Sequence, residues 1–135
     1  MSLRQLLFPP ESRLFPGQRW LNIGLRTLHL IGLAGVGGGY FYAVADQRWL
    51  GFLYLTLGSG LVLMLLSLWS NAIWLVQLRG QAILLKLLLL VLIPFWPEQQ
   101  AVLMVVVIVI SGLVSHAPGD VRYYSLFHGR RIERL

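Results

Sequence analysis

Four apolar stretches, over residues 21–44, 50–77, 82–96 and 99–115, leave this 135-residue chain almost no way to fold in water. About 20 apolar residues in a helix cross the hydrocarbon core of a bilayer. Only 12% of the residues are charged, about half of what a soluble domain uses to keep its surface hydrated. Arg79 and Gly80 are read as a short turn before the third stretch, which is short and whose start could extend back to Leu78. The fourth holds the run Val102 to Ile110, which in water would read as a buried strand. Lipid offers the backbone no hydrogen-bond partners, so beside three other spans this run is expected to be helical. The expected fold class is all-α: an integral membrane four-helix bundle.

The segments outside the spans are short. Residues 1–20 alternate Arg4, Arg13 and Arg19 with Leu6, Leu7, Phe8, Phe15 and Trp20. Pro9, Pro10, Pro16 and Gly17 forbid one continuous helix there, so the segment is expected to lie along the headgroups. Ala43-Val44-Ala45 has the look of a signal-peptide cleavage site, but the apolar region before it is long enough to cross, and a span is the better reading. Pro118-Gly119 stops the last span. Residues 21–116 thus form the membrane domain, and residues 117–135 a basic, aromatic tail.

Eleven Lys and Arg against five Asp and Glu give a net charge of +6. These cations flank apolar spans and do not line a soluble face, so they are read as orienting charges with affinity for anionic lipid, not as a nucleic-acid surface. With four spans, both termini share one side. That side carries Arg4, Arg13, Arg19, Arg26, Arg79, Lys86, Arg122, Arg130, Arg131 and Arg134, and the opposite loops carry Arg48 alone. The asymmetry predicts that the N and C termini are cytoplasmic. Cysteine is absent, which excludes disulfides and thiolate chemistry.

Ionisable groups within spans need a reason, because each costs roughly 2.5–3.5 kcal/mol to insert. Arg26 and His29 in the first span and Lys86 in the third are the candidates. His29 lies roughly 12 Å into its helix. Lys86 sits at a similar or lesser depth, so the two could face each other across the bundle. Arg26 and Lys86 could equally extend their stems to the headgroups. His29 could serve as a helix–helix hydrogen-bonding residue, an axial metal ligand or a proton-transfer group. His116 is placed at the mouth of the fourth span, and His128 in solvent. Gly32, Gly35 and Gly39 share one helix face, which suits close packing or clearance for a flat cofactor. Ser67, Ser70, Asn71 and Trp74 form a polar row in the second span, with Asn71 and Ser67 expected to point inward. No Walker loop, dinucleotide fingerprint, HExxH motif or pair of intramembrane carboxylates is present.

Leu28-His29-Leu30 followed by Gly37-Gly38-Gly39-Tyr40-Phe41-Tyr42, and Lys86 ahead of Leu87-Leu88-Leu89-Leu90, resemble a family of small membrane proteins. That family includes the haem-dependent protoporphyrinogen oxidases and the membrane domain of copper resistance protein D. The resemblance covers residues 25 to 92. It implies that His29 and Lys86 are associated with binding of haem b and with activity. On the haem reading His29 is the ligand, Lys86 lies near a propionate or substrate carboxylate, and Arg26 and Asn71 support the site; the expected location is a bacterial inner membrane. The polar segment that the oxidases carry before their last helix is replaced here by Trp96-Pro97-Glu98-Gln99-Gln100.

Two functional classes follow. The favoured expectation is an accessory or structural subunit, not an enzyme on its own. It would pack against a larger membrane protein or a second copy through Gly32, Gly35 and Gly39 and through Arg122, Tyr123, Tyr124, Arg130 and Arg131. The alternative is a haem-binding protein with redox or porphyrin-handling activity.

Overall fold

The computed structural model describes residues 3–134. They form six helices and one small hairpin: α1 (Leu3–Leu7), α2 (Gln18–Phe41), α3 (Leu50–Ser70), α4 (Leu78–Leu92), α5 (Gln100–His116), α6 (Gly119–Arg122), and strands β1 (Tyr124–Ser125) and β2 (Arg130–Arg131). Short 3-10 helices cover Ala45–Gln47, Ala72–Val76, Ile93–Phe95 and Pro97–Gln99. The chain is mostly helical, as expected. It divides into two units, residues 12–70, and residues 71–134 with 3–11.

In the first unit, Gly17 enters α2 at φ 83°, a left-handed conformation that glycine adopts without steric cost. The helix then runs for 24 residues and returns as α3. The connection turns through Ala43, Asp46 and Gln47, all at positive φ. The two helices form an antiparallel hairpin. Descending α2 from Gly39 through Gly35 and Gly32 to His29 meets Trp49, Phe52, Thr56 and Ser59 ascending α3. Val36, Tyr40, Leu53, Thr56 and Ser59 are buried along this seam. The chain before α2 is tied to the end of α3. Arg13 N–H donates to the Ser70 carbonyl at 3.0 Å, and Ser70 Oγ donates to the Arg13 carbonyl at 2.8 Å. The Arg13 guanidinium donates to the Trp69 carbonyl at 3.3 Å, and Phe15 meets Trp69 edge-on. These contacts satisfy carbonyls that a helix end leaves without partners.

The second unit corrects the expected second span of 50–77. The helix stops at Ser70. Asn71 is extended, with φ −173° and ψ 121°, and its Oδ1 accepts from Ile73 N–H at 3.0 Å. An Asn side chain that captures a nearby backbone donor in this way competes with the helix. The Asn71 amide donates back to the Pro9 carbonyl at 3.3 Å. Asn71 is therefore not an inward partner of Ser67. Ser67 is exposed and bonds its own helix at Leu63. The 3-10 helix Ala72–Val76 follows, and it buries Ala72, Ile73 and Trp74.

Helix α4 starts at Leu78, so Arg79 and Gly80 lie in its first turn and not in a connecting turn. Gly80 is required there because a Cβ would overlap the Trp74 carbonyl and lie 2.6 Å from Trp74 Cε3. Gly80→Ala is expected to destabilise this unit by about 1–3 kcal/mol, read as a lower melting temperature in detergent. Helices α4 and α5 are joined through the two Pro-containing 3-10 turns, and Leu90, Ile93, Met104 and Val107 form their shared core.

Among the described residues, three segments are long and apolar enough to cross a membrane: Leu50–Ser70, Leu78–Phe95 and Pro97–His116. Helix α2 is not one of them. Arg19, Asn22, Arg26 and His29 in its first half and the glycines of its second lower its hydropathy. Leu84, Leu88, Val91, Val102, Val105 and Ile108 stand exposed on α4 and α5, a surface suited to lipid.

Candidate functional site

His29 is held by the opposing helix. Its Nδ1 lies 2.9 Å from the Thr56 carbonyl and 3.2 Å from Ser59 Oγ. A carbonyl only accepts, so Nδ1 carries a proton and donates it to Thr56. Ser59 Oγ donates to the Leu55 carbonyl at 2.6 Å, and Thr56 Oγ1 to the Phe52 carbonyl at 2.8 Å. Both hydroxyls are satisfied within α3 while the helix presents an acceptor to the imidazole. A Cβ on Gly60 would stand 3.1 Å from His29 Cε1, so the absence of a side chain there lets the ring lie against α3.

The glycine row is closed by the same helix and by Trp49 just before it. A Cβ on Gly32 would stand 2.8 Å from Thr56 N and 2.9 Å from the Phe52 carbonyl oxygen. One on Gly35 would enter the Phe52 ring, and one on Gly39 would meet Trp49. Gly32, Gly35 and Gly39 are therefore a helix–helix contact within the chain. They are neither a surface left for a partner nor a slot cleared for haem b, because α3 occupies the space that a porphyrin edge would need on that face. His29 has the orienting hydrogen bond of an axial ligand but no cradle on its glycine side.

The supporting residues belong to different units. Arg26 is exposed on α2, in the same unit as His29. Lys86 and Asn71 belong to the other unit. Lys86 is half-buried, about two turns into α4, and makes no ion pair among the described residues. Among the described residues no group of three or more His, Cys, Asp or Glu could hold a metal ion.

The tail is folded. Helix α6 leads into the β1–β2 hairpin, with Tyr124 opposite Arg131 and Ser125 opposite Arg130. Gly129, at φ 62°, makes the turn. His128 Nδ1 and Ser125 Oγ share a hydrogen bond of 3.0 Å. Gln77, only 1% exposed, fastens this module to the start of α4. Its Nε2 donates to the Ile132 carbonyl at 2.6 Å, and its Oε1 accepts from Arg79 Nε at 2.6 Å.

This docking gathers three guanidinium groups around one ring. The Cζ atoms of Arg79, Arg122 and Arg131 lie 5.0, 5.6 and 5.4 Å from the centre of Tyr123, within cation–π range. Arg131 is ion-paired with both Asp120, at 2.5 Å, and Glu133. Hydrogen bonds to Asp120 and then Glu133 raise the Arg131 pKa above its ordinary value. Arg79 and Arg122 have no carboxylate partner among the described residues, and Arg122 Nε is buried without an acceptor. Beside Arg122 lies an apolar groove of about 530 Å³, lined by Leu78, Gly112, Leu113, Val114, His116, Ala117 and Val121 as well as Arg122 itself.

Arg122, Tyr123 and Arg131 stood out in the sequence only as members of a basic, aromatic tail, and Arg79 only as part of a turn. Gln77 was missed. Its signal was a lone amide at the end of a long apolar run. Tyr124 and Arg130 are exposed on the hairpin, away from any hydrogen bond of their side chains among the described residues. The chain matches no protein-family model, no curated protein and no solved structure.

Proposed function

We propose that this chain is a small multi-pass protein of a bacterial inner membrane, acting as an accessory subunit that packs against a larger membrane protein or a second copy of itself. In this reading α2 is a fourth span. Its 24 residues reach about 36 Å as a helix, enough to cross, and its polar face is covered in part by α3. The charge asymmetry supports a cytoplasmic location for both termini. The observation that carries the accessory role is how little of each span the chain itself covers. Leu78–Phe95 buries 22% of its hydrophobic window and Pro97–His116 only 11%. Faces left this open accept helices as readily as lipid tails.

Two measurements test it. The chain has no cysteine among its residues, so single Glu98→Cys and Arg130→Cys variants report topology cleanly. They are expected to label from opposite sides of the membrane, and labelling from one side would overturn the four-span arrangement. The tagged chain is expected to purify in mild detergent as a fixed-stoichiometry complex or homo-oligomer without a Soret band. A monomer with a Soret band that disappears in His29→Ala would replace the accessory role with the haem-binding one.

A further inference from the structure

We propose that the guanidinium cluster around Tyr123 and the groove beside it form one binding site for an anionic phospholipid, with the phosphate on Arg79 and Arg122 and an acyl chain in the groove. The inference rests on reading α4 and α5 as membrane spans, and it adds a specific ligand to that placement.

The cations are unbalanced in a particular way. Three guanidinium groups share one aromatic ring, yet both nearby carboxylates, Asp120 and Glu133, are held by Arg131. Two like charges therefore converge without a counterion of the chain's own. Arg79 uses its Nε on Gln77, which turns its terminal amino groups outward from that bond. Arg122 Nε is buried with no acceptor, a desolvated donor of the kind that folded proteins pair almost without exception. A phosphate offsets the charge of the pair, and its oxygens match the accessible nitrogens of the guanidinium forks.

The groove selects the source of that phosphate. Apart from Arg122 and His116 its lining is aliphatic or glycine, at the junction of the α4 start and the α5 end. Free phosphate would gain nothing from an apolar trough. A diacyl lipid has a headgroup and a chain separated in the same sense as the cluster and the groove. Arg122 belongs to both, so one residue sets the register between them.

The test uses the full chain, delipidated in a zwitterionic detergent and titrated by native mass spectrometry. Phosphatidylglycerol and phosphatidylcholine with identical chains are the probes. The readout is independent of which way the chain threads the membrane, so it separates this site from the proposed topology. The chain is expected to prefer phosphatidylglycerol by roughly tenfold. Arg79→Gln/Arg122→Gln is expected to reduce that preference to about twofold or less. Arg4→Gln/Arg134→Gln, which removes the same charge elsewhere, is expected to leave it intact. Gly112→Leu enters the groove, where a Cβ meets nothing within 4 Å. It is expected to weaken phosphatidylglycerol several-fold, and it carries the test if the arginine variant loses its fold. Equal binding of the two lipids, or an equal loss in the control variant, would overturn the site. Full competition by millimolar inorganic phosphate, with Gly112→Leu without effect, would assign the cluster to free phosphate and overturn the lipid.

Discussion

Gly32→Ala is expected to be among the most damaging single-methyl additions in the α2–α3 hairpin. The new Cβ would stand 2.8 Å from Thr56 N and 2.9 Å from the Phe52 carbonyl oxygen. Both are backbone atoms of a helix, so no rotamer change relieves the overlap. The helices must separate, and the hydrogen bond from His29 Nδ1 to the Thr56 carbonyl lengthens with them. Overpacking of this kind costs about 1–3 kcal/mol, and loss of the His29 bond adds to it. The check is a melting curve in detergent beside Gly24→Ala, Gly38→Ala and Gly58→Ala. A Cβ at those three positions meets nothing within 4 Å. In a helix interior, Ala is about 1 kcal/mol more favourable than Gly, so these are expected to be neutral or stabilising. If all four variants melted alike, the α2–α3 seam would not be where it is described.

Gln77→Ala is expected to release the C-terminal module. The wild-type amide is buried and makes two short bonds, one to the Ile132 carbonyl and one from Arg79 Nε. Truncation leaves a carbonyl and a cation without their partner, at a cost of about 2–4 kcal/mol. That cost falls on the docking of residues 119–134 and not on α4 itself, whose backbone bonds are unchanged. Trypsin, which cuts after arginine, is expected to cleave at Arg130 or Arg131 at least tenfold faster than in the wild type, because the open state becomes more populated. Gln77→Glu separates the two bonds. It keeps an acceptor for Arg79 and loses the donor to Ile132, so its cleavage rate is expected to fall between the other two. A tail as resistant in Gln77→Ala as in the wild type would show that Gln77 does not hold it.

The spans were legible because hydrocarbon leaves the backbone one local solution. The runs around Leu61, Leu88 and Val106 had to be helical wherever they lay, and they are. Ser67, Ser70 and Asn71 were read as one helical row because periodicity says where side chains point only while the helix continues. It does not show that an Asn side chain will take the Ile73 N–H and end it. The fold within the basic, aromatic tail was not legible for the opposite reason. Its fold depends on Gln77 and Ile132, separated by 55 residues, and no local pattern announces such a pair.

Solvent preference was thus settled by the order of residues alone. Stretches with almost no charge are driven out of water wherever they sit, and arginines resist crossing whichever neighbours they have. Tertiary structure decided which face meets which. The small-residue row of α2 is covered by the chain's own α3, and Arg79, distant in sequence, joins Arg122 and Arg131 around the Tyr123 ring. Close approach and charge convergence are properties of pairs and triples in space, and a linear pattern carries only the propensities of single positions.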